Sequence, residues 1–156
     1  MSRRNQMSAG LLAFRRITEL QVLLAHPGGP FWAKRHTGAW TIPKGLVDAG
    51  DDLLVTARRE FTEETGFVAL GPFIPLRPVR QKSGKIVHAW AFEADFDPAR
   101  FTSNLFEMEW PPKTGRRTSF PEIDRLEWFA FEPACEKILE YQQPFLLQLK
   151  SLLTDA

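Results

Sequence analysis

Short apolar runs alternate with turn-forming clusters along the chain, and that rhythm predicts most of its elements. "GLLAFRR" and "LQVLLAHP" predict two β-strands around a turn near Ile17–Glu19. "PGGPFWAKRHTG" follows as a Gly/Pro-rich loop carrying two aromatics, and "AWTIPKG" predicts a short strand ending at Pro43. From Asp52 to Thr65 the period changes. Leu53, Leu54, Ala57 and Phe61 recur at helical spacing, Asp51 or Asp52 can cap the start, and Gly66 can end it. "GPFIPLRPVRQ" and "KIVHAWAFEADF" predict strands joined as a hairpin by the turn "KSGK". The stretch "DPARFTSNLFEMEWPPKTGRRTSF" is too long and too rich in turn residues for a plain connection, which predicts an ordered functional loop. "RLEWFAF" predicts a last strand. "EPACEKILEYQQ" and "PFLLQLKSLL" predict helices, the second with Pro144 in its first turn.

Composition narrows the function classes. At 156 residues, with 44% hydrophobic and 25% charged residues, the chain reads as one globular domain with a real core, residues 1–6 forming a loose tail. A net charge of +1 offers no whole-molecule attraction to nucleic acid or membranes, so any electrostatic function is local. The lone Cys135 excludes an internal disulfide framework and a cysteine zinc cluster, and fits a reducing cytoplasm. His26, His36 and His88 have no mutual ligand spacing, which argues against zinc. The first ten residues lack the apolar run of a signal peptide, and no run approaches the roughly 18 apolar residues of a membrane span.

The chemistry concentrates in "REFTEETGF". Glu60, Glu63 and Glu64 stand at i, i+3 and i+4, so their side chains cluster, at roughly 80° from the centre of the apolar stripe. Like charges at this spacing cost about 0.2–0.5 kcal/mol per pair. Carboxylates at the negative end of the helix dipole cost a further 0.3–1 kcal/mol or so each. A solvated face in which Arg59 pairs with Glu63 is one account. The other is a hard divalent cation, Mg²⁺ or Mn²⁺, which reverses the sign of both penalties and binds substrate phosphates beside a few carboxylates.

The run from Gly45 to Phe67 resembles the Nudix box. Gly45, Arg59, Glu60, Phe61, Glu63, Glu64, Gly66 and Phe67 match eight of nine fixed positions, and the ninth carries Asp51 in place of Glu. The preceding "IPKG" also fits that family. The resemblance implies an α/β (α+β) fold, an α/β/α sandwich around a mixed sheet, and a metal-dependent hydrolase of phosphoric anhydrides. Within the family the chain is similar to diadenosine tetraphosphate hydrolases. That comparison implies that Gly45, Glu60, Glu63, Glu64 and Glu122 hold metal, that Glu64 or Glu122 takes the proton from water, and that Arg59 orients the glutamates. The loop from Asp97 to Phe120 is longer than in that group. Tyr141 is the only tyrosine, so the group's adenine-stacking tyrosines have no counterpart in the sequence.

For a phosphate chain the candidates are Lys44, Arg80, Lys82 and Lys85, with Lys113, Arg116 and Arg117 further along; each is also an ordinary solvated charge. Trp40, Trp90 and Trp128 read as core residues of strands. Phe31, Trp32 and Trp110 lie in loops, where they can stack on a base or pack the long loop onto the domain. The expected partner is a small nucleotide, best a dinucleoside polyphosphate. Damaged nucleoside triphosphates, ADP-ribose or nucleotide sugars, and RNA caps are the alternatives, and a non-catalytic nucleotide-binding module is a further one. The near-neutral charge argues against RNA, and the complete acidic trio argues for catalysis.

Overall fold

The computed structural model describes residues 6–154. Residues 1–5 of the expected tail lie outside the described residues. Gln6 is already tied down, since its carbonyl accepts a hydrogen bond from Ile86.

The core of the sheet is β1 (Met7–Arg16), an alternating apolar strand with a neighbour on each side. It runs antiparallel to β2 (Leu20–Pro27) through Phe14–Val22, as the hairpin pattern predicts. On its other edge it runs parallel to β6 (Ile86–Glu93), which makes the sheet mixed. Two short segments, β4 (Ile74–Pro75) and β5 (Val79–Arg80), pair antiparallel with β6. Pro75 and Pro78 lack the N–H that a continuous ladder needs, so the predicted outer strand of that hairpin is broken in two. The far edge is β9 (Ile123–Ala130), paired with β2.

Period-two alternation sends the side chains of β1 to two cores. Ala9, Leu11 and Ala13 face a cluster with Ala57 and Phe61 of α1 (Leu53–Thr65). Leu12 and Phe14 face the opposite cluster, with Ala134 of α2 (Phe131–Lys137) and Phe145, Leu146 and Leu149 of α3 (Gln143–Thr154). The result is the expected α/β/α sandwich around a mixed sheet. No helix among the described residues is long and apolar enough to cross a membrane.

Three local expectations are corrected. The strand near "AWTIPKG" does not end at Pro43. Trp40 and Thr41 make only isolated bridges, and the strand β3 (Lys44–Leu46) starts after the proline, pairing with β1 through Gly10–Lys44. Pro43 cannot donate, and its carbonyl instead accepts from Leu11. The helix predicted over "EPACEKILEYQQ" stops at Lys137. Ile138 is extended and bridges Trp40, and only a short 3₁₀ turn, Glu140–Gln142, follows. The long connection is ordered as expected, but it is a second two-stranded sheet, β7 (Leu105–Glu109) with β8 (Arg117–Pro121).

Gln142 joins these parts. It is fully buried; its Oε1 accepts from the Ile42 backbone N–H at 3.0 Å, and its Nε2 donates to Thr41 Oγ1 at 2.9 Å. This fixes the segment that leads into Lys44 and Gly45. Gln142→Ala strands a buried backbone donor and should destabilise the fold by about 1–3 kcal/mol, read as a shifted denaturation midpoint at unchanged m-value.

Candidate active site

The acidic helix forms where its sequence directs it. Asp52 caps α1 by accepting from Val55 N–H at 2.9 Å. Gly66 ends it with φ of 80°, a left-handed turn that suits glycine, and its N–H returns to Thr62. Phe61 anchors the inner face at 0% exposure. Glu60, Glu63 and Glu64 are thereby held at the rim of a cleft of about 490 Å³, together with Lys44, Gly45, Arg59 and Glu122.

The charges in this cleft are not independent. Arg59 Nη1 lies 3.3 Å from Glu60 and 3.4 Å from Glu63, so it pairs with two glutamates and not only the i+4 partner. Glu64 is different: its Oε2 is buried and has no hydrogen-bond partner. Desolvation, with the charge of Glu60 adding to it, pushes the Glu64 carboxyl up to about 8, against the opposing pull of Lys44. Burial and the nearby charge of Glu63 raise Glu60, while burial raises Glu122. Lys44 is lowered by burial, with Glu64 and Glu60 pulling the other way.

The donor set suits a hard divalent cation. It offers carboxylate oxygens, one of them sealed and without a hydrogen-bond partner among the described residues, and a glycine where the Glu60 carboxylate needs room, since a Cβ at Gly45 would overlap it. Among the described residues no three His, Cys, Asp or Glu side chains are grouped closely enough to hold a metal ion, and Arg59 pairs with both Glu60 and Glu63. Arg59 thus stands as the resident cation among the glutamates.

Of the phosphate-binding candidates, only Lys44 lies in this cleft. Lys85 is linked to it electrostatically, lowered by burial and by the charge of Lys44, with Tyr141 opposing. Lys82 lines a separate cavity of about 670 Å³ with Gln81, Ser83, Glu140 and Tyr141. Arg80 turns onto the Gly84 carbonyl of its own hairpin turn at 3.2 Å. Lys113, Arg116 and Arg117 belong to the β7–β8 hairpin and do not line the cleft. Asp51 is exposed, and its N–H closes a turn onto Asp48.

Among the aromatics, Trp40 is core at 2% exposure, and Trp128 is half-buried with its Nε1 donating to Phe96. Phe31 and Trp110 pack edge to face at 5.6 Å, joining the Gly/Pro-rich loop to the hairpin. Three site-lining residues had no sequence signal strong enough to single them out as participants. Asp48 and Asn104 line the cleft, and Tyr141 lines the Lys82 cavity while bonding Gln81 and Gln142.

The NUDIX domain pattern matches residues 4–149, nearly the whole chain. The chain belongs to the Nudix family. An RNA pyrophosphohydrolase of Caulobacter vibrioides (strain NA1000 / CB15N) is 48% identical over 54 residues, covering 31% of each chain. The match thus spans about a third of that curated relative. A C. elegans Ap4A hydrolase in a binary complex superposes with a TM-score of 0.67 at 22% identity, covering 96% of this chain and 99% of that one. The Nudix domain of Shewanella oneidensis NrtR, complexed with ADP ribose, gives 0.65 at 16% identity over 94% of this chain and 87% of that one. At these identities the structural likeness establishes the Nudix fold.

Two outcomes follow from the geometry. Gly45→Ala displaces the flexible end of Glu60 and leaves the fold intact, so Mn²⁺ affinity should fall about 10–100-fold with little change in melting temperature. Glu64 sets a pH dependence. Its folded pKa of about 8 lies above the ordinary 4.5, so the folded metal-free protein holds a proton that the unfolded chain releases. That stability is fully present below about pH 4.5 and is lost as pH rises through about 8. Glu64→Gln cannot ionise. Denaturation without metal should show the variant gaining on the wild type by at least about 1 kcal/mol between acid and mildly alkaline pH.

Proposed function

We propose that this Nudix protein is a divalent-metal-dependent pyrophosphohydrolase that cleaves the diphosphate bond of a nucleoside diphosphate-linked compound, best a dinucleoside polyphosphate such as diadenosine tetraphosphate. The observation that carries the reading is Glu64, whose Oε2 is sealed from solvent and lacks a hydrogen-bond partner, in a cleft shared with Glu60, Glu63, Glu122 and Gly45. A binding module with no chemistry to perform has no use for that arrangement.

Glu60, Glu63, Glu64, Glu122 and the Gly45 carbonyl would hold Mg²⁺ or Mn²⁺. When bound, the ion supplies positive charge to the phosphate oxygens and acidifies water. Arg59 orients the glutamates through the pairs it already makes. Lys44 and Lys85 receive phosphate charge, with Lys82 at the edge of the second cavity and Arg80 released from its turn. Removal of the proton from water falls to Glu64 or Glu122. Glu122 is favoured, because Glu64 Oε2 is buried whereas Glu122, between β8 and β9, lines the cleft from another segment with its carboxyl raised by burial. The cavity lined by Tyr141 and Lys82 is where a second nucleoside would sit in a two-ended substrate. The reading places the activity in one domain in the cytoplasm, in keeping with the free Cys135.

The local 48% identity favours a second reading, removal of pyrophosphate from an RNA 5′ end, against which the net charge of +1 weighs. A single panel separates these readings. With Mg²⁺, diadenosine tetraphosphate should yield ATP and AMP. Cleavage confined to ADP-ribose, nucleoside triphosphates or 5′-triphosphorylated RNA replaces the substrate while keeping the chemistry. The double variant Glu63→Gln, Glu64→Gln should lose activity by about 10²–10⁴-fold and still fold; full activity would contradict the site.

A further inference from the structure

Asn104 occupies a place in the cleft that no motif accounts for. It lies in the segment between the 3₁₀ turn at Pro98–Arg100 and β7, and this segment laces two parts of the site together. Its backbone N–H donates to the Glu63 carbonyl at 3.1 Å, and its own carbonyl accepts from Glu122 N–H at 2.7 Å. The two residues before it extend the lacing. Thr102 N–H reaches the Thr65 carbonyl at 2.9 Å, and Ser103 Oγ accepts from Ile123 N–H at 3.0 Å. The backbone of Asn104 is therefore fixed from both sides before any ligand arrives.

Its side chain is uncommitted. Asn104 lines the cleft and is exposed, and its carboxamide has no hydrogen-bond partner among the described residues. Of the long-armed donors of the cleft, Arg59 already pairs with Glu60 and Glu63, while Lys44 is half-buried and is the cation assigned to the phosphate charge. Residue type matters here. A carboxylate at this position would repel a phosphate, and a cation would pair with the glutamates and compete with a metal ion. A carboxamide donates two hydrogen bonds without adding charge of either sign.

Building on the hydrolase reading, we propose that Asn104 is a substrate-positioning residue, its carboxamide donating to a non-bridging phosphate oxygen of the nucleotide beside Glu63 and Glu122. The metal site and the phosphate contact are then separable, which a structural role of the same residue would not allow.

The test measures two affinities and one rate on Asn104→Ala and Asn104→Asp. Mn²⁺ binding without nucleotide is read by electron paramagnetic resonance, ADP binding at saturating Mg²⁺ by calorimetry, and kcat and KM on whichever panel substrate is cleaved. For Asn104→Ala, Mn²⁺ affinity should stay within about twofold, while ADP affinity and kcat/KM fall about 10–100-fold. For Asn104→Asp, nucleotide binding should fall further while Mn²⁺ affinity holds or rises. Wild-type ADP affinity in Asn104→Ala overturns the proposal. So does a joint loss of Mn²⁺ affinity and melting temperature in both variants, which would show that only the lacing matters. The ADP arm needs no turnover, so a wild-type protein inactive on the whole panel would end the substrate reading and leave this comparison to decide Asn104. A wild-type protein that binds no ADP ends both.

Discussion

Desolvation of Glu64 beside other carboxylates is the constraint around which the molecule is arranged. A helix left to itself would turn such a residue to water, because burial and neighbouring charge both oppose its ionised form. Here rotation is blocked. Phe61 and Ala57, both at 0% exposure, lock the inner face of α1 into the sheet, and the Asp52 cap and the left-handed Gly66 fix both ends. The penalty is borne by the packing of the sandwich. Lys44 relieves part of it, and among the described residues nothing bonds the buried Oε2.

The parts of the site that could be read from the sequence are those set by local chain geometry. The i, i+3, i+4 spacing places Glu60, Glu63 and Glu64 together in any α-helix, and the capping residues bound that helix to within a residue. The hairpins and the two-faced alternation of β1 follow from the same kind of rule. Gly45 became legible only through the box resemblance, and its physical meaning, room for the Glu60 carboxylate, appears only in three dimensions.

What stayed hidden depends on contacts between distant segments. Asn104 reaches the cleft because its backbone bonds Glu63, far back in the chain, and Glu122, well ahead of it. Tyr141 lines its cavity because the helix expected across it breaks at Ile138, where Trp40 offers a bridging partner. Pro43 misled in the opposite direction. It reads as a strand end, yet here it precedes β3, contributing its carbonyl to Leu11 while the pairing resumes at Lys44. In each case a tertiary partner outweighed a local preference, and a single sequence does not name that partner.

The charge balance of the cleft connects fold to chemistry. Its lining carries two cations, Lys44 and Arg59, against five carboxylates, Asp48, Glu60, Glu63, Glu64 and Glu122. Burial, with the charge of Glu60 adding to it, pushes the Glu64 carboxyl up to about 8, and the proton it then holds lessens the imbalance. A phosphate chain brings more negative charge of its own and is therefore repelled until positive charge enters with it or ahead of it. A neutral donor such as Asn104 can hold a phosphate oxygen without altering that balance, whereas another lysine would satisfy the glutamates and remove their need for an ion. The cleft is thus short of cations, and under the proposed function that deficit would let a divalent ion and a polyphosphate bind together where neither the acidic cleft nor the bare substrate would accept the other alone.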